Sequence, residues 1–525
     1  MGPKFLSEPE KKFSNQTHSV ARLTEADNKI SQTDQTAADK QSLSATTVKS
    51  NTAAQKSIRV IELPNMRVVL NSQGASVMHW WIKEKHGNLQ SGQEANNWPD
   101  LVNHPYTSTE DLLEESFYGL STFSESTFAQ VPCDQMKAEV IESCWEAVLP
   151  SGANVRKQFS FEHAASSETH FLNLTLSIAN PTAKEISVPE FGLGWSNGVG
   201  TVPAERKENK GLIRLLAYPS PKKEVEKLDS GERAMDYSWV GVDNRYYLLA
   251  LLPQKGDFSK LVTEKSKQTG SSLYLFKNAF TLIPGERKEA KIKIYGGIKG
   301  YTRLKKIGLG IEHAVDFGYF GFLGKSALKA MYFLYAITGN FGWSIIILTG
   351  IMQLIVFPLS YKSYQSMAAM KKLQPKIQEI QKRYKDDSKR MNQEMMDLYR
   401  NTKTNPFGGC IPMVLQIPVF WAFFTMLRNS YELRGAPWMF WIVDLSAKDP
   451  YYVLPIIMGG GMLLQQKISG PTGDPTQAKM MMFMPVIFTF MFLNFPSGLV
   501  LYWLTNSILT MTTQYCIRIR SEATA

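Results

Sequence analysis

The side chains best placed to do chemistry in this sequence are polar residues set inside apolar runs of its last third. They are Ser344, Thr349, Gln353, Gln416, Gln465, Gln466, Thr489, Thr505, Asn506, Thr512, Thr513 and Gln514. None carries a formal charge. A hydroxyl or amide left without a partner in an apolar medium costs roughly 2–7 kcal/mol, so such groups bond to one another across helices or face water. Thr349 and Gln353 are four residues apart and share a helical face. The cluster points to a hydrated groove for polar chain segments. Helix–helix hydrogen bonding is the plainer alternative for any single Ser or Thr. Catalysis finds little support: no spacing pairs His79, His86, His104, His163 or His170 with a carboxylate, and no phosphate-binding glycine loop or CxxC metal pattern is present.

These residues need elements to position them, and the chain of 525 residues divides into two solvents. Residues 1–56 are rich in Ser, Thr, Gln, Asn, Ala and Lys and are expected to form a disordered linker. From residue 57 to about 310, short alternating apolar runs such as Ile58-Arg59-Val60-Ile61 and Ile292-Lys293-Ile294-Tyr295 are separated by turn residues such as Pro150-Ser151-Gly152. This spacing predicts an antiparallel β-sandwich. Residues 311–340 are aromatic-rich and broken by Lys325, Ser326 and Lys329, which predicts a helix lying in a membrane interface. Five apolar segments follow at about 342–360, 411–429, 451–467, 480–496 and 497–517, each near the length that crosses a bilayer. Asn494-Phe495-Pro496-Ser497-Gly498 punctuates the last two.

The formal charge is +11. Much of the excess flanks the apolar runs, which favours a membrane surface over specific nucleic-acid binding. The connection after the first span carries Lys371, Lys372, Lys376, Lys382 and Arg383 among other cations, and the next connection is nearly balanced. Positive charge therefore marks alternate connections as cytoplasmic, with the carboxyl terminus. The β domain is then outside. A domain of that size does not cross unaided, so the natural protein is expected to have an amino-terminal signal anchor ahead of residue 1, and Met1-Gly2-Pro3 reads as a cloning remnant. In an extracytoplasmic domain Cys133 and Cys144 could pair; two small buried side chains are the other reading.

Met367, Met370, Leu373, Ile377, Ile380 and Tyr384 recur at helical spacing, Asp386-Asp387-Ser388 offers a turn and an N-cap, and Met391, Met395 and Leu398 continue the stripe. This predicts an antiparallel helical hairpin over 361–404 with basic outer faces. It serves either as a self-packed topology element or as a docking arm through Lys371, Lys372, Lys376, Lys382 and Arg383.

Gly339-Asn340-Phe341-Gly342-Trp343-Ser344, Leu373-Gln374-Pro375-Lys376-Ile377, Asn405-Pro406-Phe407-Gly408-Gly409-Cys410, Asp444-Leu445-Ser446-Ala447-Lys448-Asp449-Pro450, Phe483-Met484-Pro485 and Phe495-Pro496-Ser497-Gly498-Leu499 occur in order and at fitting intervals. Over about 310–520 the chain resembles the YidC/Oxa/Alb family of insertases in its bacterial, Gram-negative YidC form. The resemblance implies a multidomain inner-membrane protein: a periplasmic antiparallel β-supersandwich plus an all-α five-helix transmembrane core with a cytoplasmic helical hairpin. It implies an insertase and chaperone for nascent membrane proteins, not an enzyme, with no cofactor or metal. A hydrophilic groove, open to lipid and cytoplasm, would be lined by Gln353, Thr349, Ser344, Thr505 and Asn506. An apolar slide for substrate helices would use Ile417, Phe420, Met491, Asn494 and Trp503. Partners would be the lipid bilayer and nascent chains, with a Sec translocon, the ribosome and signal recognition particle machinery as candidates.

The sequence departs from the family at two places. A groove arginine is replaced by Gln353, within a stretch that otherwise matches on both sides, and Asn494 stands where some relatives have tryptophan. Arg428 is too far along its span to substitute and reads as an outer-interface anchor. Two rival classes are a channel or transporter with an external sensor and a membrane-anchored sugar enzyme.

Overall fold

A computed structural model describes residues 57–83, 98–102, 119–133, 140–162, 170–202, 205, 211–219, 224–266, 270–402, 411–469 and 475–523. The expected linker at 1–56, the motif at 405–410, His86, His104 and His163 lie outside the described residues, as do the side chains of Met367, Met370 and Lys371.

The strands follow the alternation in the sequence. Arg287–Ile298 places Glu289, Lys291 and Lys293 outward and buries Ala290, Ile292 and Ile294. It pairs antiparallel with Phe171–Ala179 in the register Ile292↔Leu174, Ile294↔Leu172. These two are central in a nine-stranded antiparallel sheet that runs from Glu226–Leu228 at one edge to Ala129–Val131 at the other. Sheets of four, three and two strands complete the domain. One core joins them, with Trp80, Trp145 and Trp195 fully buried. The continuous apolar run Tyr247–Pro253 has a separate cause. Leu249 and Leu251 face that core, while Leu248 and Ala250 belong to a second core on the other side with Leu304, Ile311 and Phe317. A strand covered on both faces has no polar face to alternate with.

Two further features lie in this domain. Cys133 and Cys144 form a disulfide, with Cα atoms 5.5 Å apart. His79 Nδ1 lies 2.6 Å from Asp100 Oδ2, a pairing that the 21-residue separation gave no reason to expect. Asp100 also accepts the Trp80 and Val102 amides, so its carboxylate staples two segments of backbone.

The helices are α1 (Tyr301–Ile307), α2 (Gly321–Thr338), α3 (Phe341–Arg383), α4 (Ser388–Asn401), α5 (Ile411–Asn429), α6 (Val453–Ser469), α7 (Pro475–Phe492) and α8 (Ser497–Ala523). Gly339 takes the left-handed conformation (φ 64°) that ends α2, and Asn340 caps α3 at once by accepting from the Gly342 and Trp343 amides. The first span and the first arm of the hairpin are one helix, α3, not two elements meeting near residue 360; Pro358 and Pro375 lie inside it. Asp387 accepts from Arg390 N at 3.0 Å and starts α4, as its position predicts. In α3 and α4, Leu373, Ile377, Ile380, Met391, Met395 and Leu398 are partly buried and Lys372, Lys376, Lys382 and Arg383 are exposed.

Helix ends differ elsewhere from the sequence reading. Asp449 accepts from Trp441 Nε1 and from the Tyr451 and Leu454 amides, so α6 begins at Val453, two residues late. The following helix begins at Pro475 and stops at Phe492. Asn494 therefore lies exposed in the turn before α8, not on a spanning helix. Among the described residues, 341–363 is long and apolar enough to cross a membrane, with a mean hydropathy of 1.9 over its window.

A buried charge network ties the β domain to the helices. Arg214 grips Asp243 at 3.0 and 2.5 Å and reaches Asp316 at 3.0 Å. Lys299 donates to Asp243 at 2.8 Å and to Asn244 O. Burial lowers the Arg214 pKa, but the two carboxylates outweigh it and hold the guanidinium above its usual value. Burial dominates at Lys299, whose pKa is held low despite Asp243. Because charges removed from water need every partner, the network fixes the approach to α2 from the domain.

Candidate functional site

The start of α3 is a rigid joint. Asn340 Nδ2 donates to the carbonyls of Pro437 and Trp438 at 3.2 and 3.0 Å. Ser344 Oγ donates to Asn340 O at 2.8 Å and lies 3.1 Å from Thr338 Oγ1. A Cβ at Gly342 would fall on the Trp438 side chain, so only glycine lets the loop that carries Trp438 approach this closely. Ser344 is fully buried and serves the turn, not a cavity wall. Thr349 is also buried and returns its hydroxyl to Ile345 O at 2.7 Å.

One turn deeper the bonding changes from local to interhelical. Gln353 Nε2 donates to Thr510 Oγ1 of α8 at 2.9 Å. Gln416 Nε2 of α5 donates to Asn506 Oδ1 of α8 at 3.2 Å. Asn506 and Thr510 are one turn apart, so α8 presents two polar groups on one face, answered by α3 and α5. All four side chains are partly accessible, as is Thr505. The structure thus gives Gln353 and Asn506 interhelical partners and leaves Ser344 and Thr349 apart; Thr505 is beside Asn506 in sequence. The structure adds Thr510, which the sequence reading did not single out.

Toward the other end of α8, an aromatic cluster closes the space between helices. Trp503 meets Phe420 of α5 at 4.9 Å between ring centroids, and Phe488 and Phe492 of α7 at 5.9 and 5.2 Å. Phe423 stacks on Tyr502 at 5.1 Å, and Phe495 meets Phe492 at 4.8 Å. Of the expected slide residues, Phe420 and Trp503 form this cluster, while Ile417 and Met491 point outward and are about half exposed.

The cluster lies nearer the β domain than the polar pairs do. Arg245 Nε donates to Arg428 O at 2.9 Å, which seats the last turn of α5 against the domain. Arg434 pairs with Glu205 at 2.6 Å, and the Ser497 and Gly498 amides donate to Ala447 and Leu445 in the loop between α5 and α6 that also carries Arg434. Arg428 is far from the polar pairs, with its guanidinium over Phe424. Large apolar side chains cover the outside of the bundle, with Leu354 73%, Ile355 66% and Phe490 69% exposed. Exposure on that scale fits contact with lipid. Among the described residues, no group of three or more His, Cys, Asp or Glu could hold a metal.

Residues 59–328 match the family model described as the YidC periplasmic domain, and residues 333–524 match the one described as 60Kd inner membrane protein. The membrane protein insertase YidC of Endomicrobium trichonymphae is 41% identical over 468 residues, covering 87% of this chain and 84% of the relative. That of Syntrophus aciditrophicus is 37% identical over 476 residues, covering 87% and 84%. A solved structure, an active YidC insertase with its first transmembrane domain resolved, is 18% identical and covers 88% of this chain and 95% of its own, with a TM-score of 0.38.

Proposed function

Because the chain belongs to the YidC family of membrane protein insertases, we propose that it moves hydrophilic segments of nascent membrane proteins through a polar, lipid-open space and releases their apolar helices into the inner membrane. The observation that carries this reading is the pairing of Gln353 with Thr510 and Gln416 with Asn506 beneath the aromatic cluster around Trp503. A site polar at one depth and closed by rings at another suits a segment that must enter from one side only.

The energetics give the device its purpose. A charged residue at mid-membrane costs roughly 3 kcal/mol on insertion scales, so a tail with several charges faces ~10 kcal/mol. A partly hydrated half-channel removes much of that barrier. The apolar helix then leaves for lipid at ~0.8 kcal/mol per buried CH₂, past Ile417, Phe420, Met491 and Trp503. No nucleotide is required for that step.

In this reading α3 and α5 to α8 are the five spanning helices. The β domain is a periplasmic supersandwich, and the hairpin and carboxyl terminus are cytoplasmic. The exposed Lys372, Lys376, Lys382 and Arg383 are the docking face for a ribosome or targeting factor, and the protein works alone or beside a Sec translocon. Gln353, in place of a fixed positive charge, suits substrates with few tail charges. The test is insertion into proteoliposomes of matched substrates with graded acidic tails, by the wild type and by Gln353→Arg. The variant is expected to gain on acidic tails. Equal dependence on tail charge in both proteins would reject the role assigned to residue 353.

A further inference from the structure

The loop between α5 and α6, residues 430–452, holds two large side chains in a backbone conformation that such residues rarely adopt. Phe440 has φ 53° and Tyr452 φ 58°, in the left-handed region that favours glycine. Phe440 is also 80% exposed. Strain of this kind persists only where the surroundings impose it, and here they do. The Trp438 amide donates to Ile442 O at 3.0 Å, and the Ile442 amide donates to Met439 O at 3.1 Å. Trp441 Nε1 donates to Asp449 Oδ1 at 3.0 Å, and the Tyr452 amide donates to Asp449 O at 3.2 Å. The result is a tight projection in which the rings of Phe440 and Trp441 stack side by side, 5.8 Å between centroids. In an extended strand, neighbouring side chains would point to opposite faces.

The projection is apolar and continues an apolar surface. Val443 is 62% and Tyr451 68% exposed, and Trp441 meets Tyr451 at 6.4 Å. Ile456 and Ile457, both exposed, follow at the start of α6. On the other side, Trp438 lies 6.0 Å from Trp343 in the first turn of α3, the helix whose segment 341–363 is long and apolar enough to cross a membrane. The projection therefore stands level with the ends of two helices read as spanning. Tryptophan and tyrosine at that level are the composition of a membrane–water interface. With its indole N–H already bonded to Asp449, the Trp441 ring can enter an apolar medium without an orphaned donor.

We propose that Phe440, Val443 and Tyr451 form a wedge inserted among the lipids of the outer leaflet, so that the partner of this loop is the bilayer. The proposal rests on the membrane placement proposed above. The same loop holds Asn340 at the start of α3 through Pro437 O and Trp438 O, and the start of α8 through Leu445 O and Ala447 O. A wedge seated in lipid thus fixes the depth of the end of the bundle that the aromatic cluster closes.

Nitroxide labels are placed singly at Phe440→Cys and Val443→Cys in the full chain carrying Cys410→Ser and Cys516→Ser, with the Cys133–Cys144 disulfide intact. The protein is reconstituted in liposomes of phosphatidylcholine and phosphatidylglycerol. Electron paramagnetic resonance compares collision with oxygen, which concentrates in hydrocarbon, against collision with a water-soluble nickel chelate. Lys255→Cys, in an exposed β-domain turn, and Leu354→Cys, facing outward on α3, set the aqueous and hydrocarbon limits. Labels at 440 and 443 are expected to lose most of the nickel access seen at 255 and to gain oxygen access in the direction of 354. Nickel access equal to that at 255 would overturn the wedge. Shielding from both reagents would overturn it in favour of a protein partner, and spin–spin broadening at 440 would identify that partner as a second copy of the chain. If Phe440→Cys does not fold, the native chain is photolabelled from a diazirine on a lipid acyl chain; the peptide carrying residues 440–443 must be modified, and an unmodified peptide would overturn the proposal. Nickel access at 354 as well would contradict the membrane placement itself, and the wedge with it.

Discussion

Replacing Gln353 by leucine separates the bonding role of this residue from its proposed contact with substrate. Among the described residues the side chain makes one hydrogen bond, to Thr510 Oγ1 at 2.9 Å, and is partly buried. Interhelical hydrogen bonds in membrane proteins average about 0.6 kcal/mol and reach about 1.7. In Gln353→Leu the threonine hydroxyl can turn to the carbonyl of its own helix four residues back, and leucine adds apolar contact, so stability is expected to fall by no more than about 1 kcal/mol. The polar tail of a substrate loses more in proportion. One neutral hydrogen bond is worth about 1 kcal/mol, or about fivefold in rate if it is made only during passage. Protease protection in proteoliposomes should show insertion of a substrate with a translocated polar tail falling about fivefold. A single-span substrate without such a tail should change less than about twofold on the same scale. If both substrates fall equally, or neither falls while the thermal midpoint is kept, Gln353 does not contact the tail.

Two other consequences concern packing and pH. A Cβ at Gly459 of α6 would fall on Thr489 Oγ1 of α7, so Gly459→Ala should cost about 1–3 kcal/mol by overpacking, and adding Thr489→Ala should recover most of it in thermal unfolding. Thr489 bonds only its own helix at Pro485 O among its recorded partners, so little else changes in the double variant. In the β domain, Lys157 is fully buried and donates to the carbonyls of Gly74, Ala75 and Leu120, and burial lowers its pKa to about 7. The unfolded chain, with an ordinary lysine, binds the proton more tightly above that pH. Stability should therefore rise between pH 7 and 9 by about 2 kcal/mol. Lys157→Met should lack that rise in denaturant titrations at the two pH values, whatever it costs in absolute stability; an unchanged slope would reject the shift.

What the sequence revealed follows from how local each cause is. Arg287–Ile298 alternates Lys with Ile, and the strand and its buried face follow from neighbours two residues apart. Asp387 could be read as a cap because its acceptor and the Arg390 amide are three residues apart. The pairing of Gln353 with Thr510 spans 157 residues and depends on how α3 and α8 pack, so the sequence indicated a polar residue without its partner. Ser344 and Thr349 looked identical to Gln353 by that criterion, yet Thr349 reaches only its own backbone turn and Ser344 only Asn340 O and the nearby Thr338 hydroxyl. The start of α6 was misplaced for a related reason. Hydropathy marks where apolar residues begin, whereas Asp449 decides where the backbone begins to coil.

The central claim, that a polar nascent segment passes beside Gln353, is tested most directly by photo-crosslinking. A crosslinker at position 353 is compared with one at the neighbouring outward-facing position 354, where the native leucine is 73% exposed. With a stalled nascent membrane protein, the account predicts that position 353 captures the hydrophilic tail and that position 354 captures lipid or the apolar helix. Capture of the tail equally from both positions, or from neither, would contradict it.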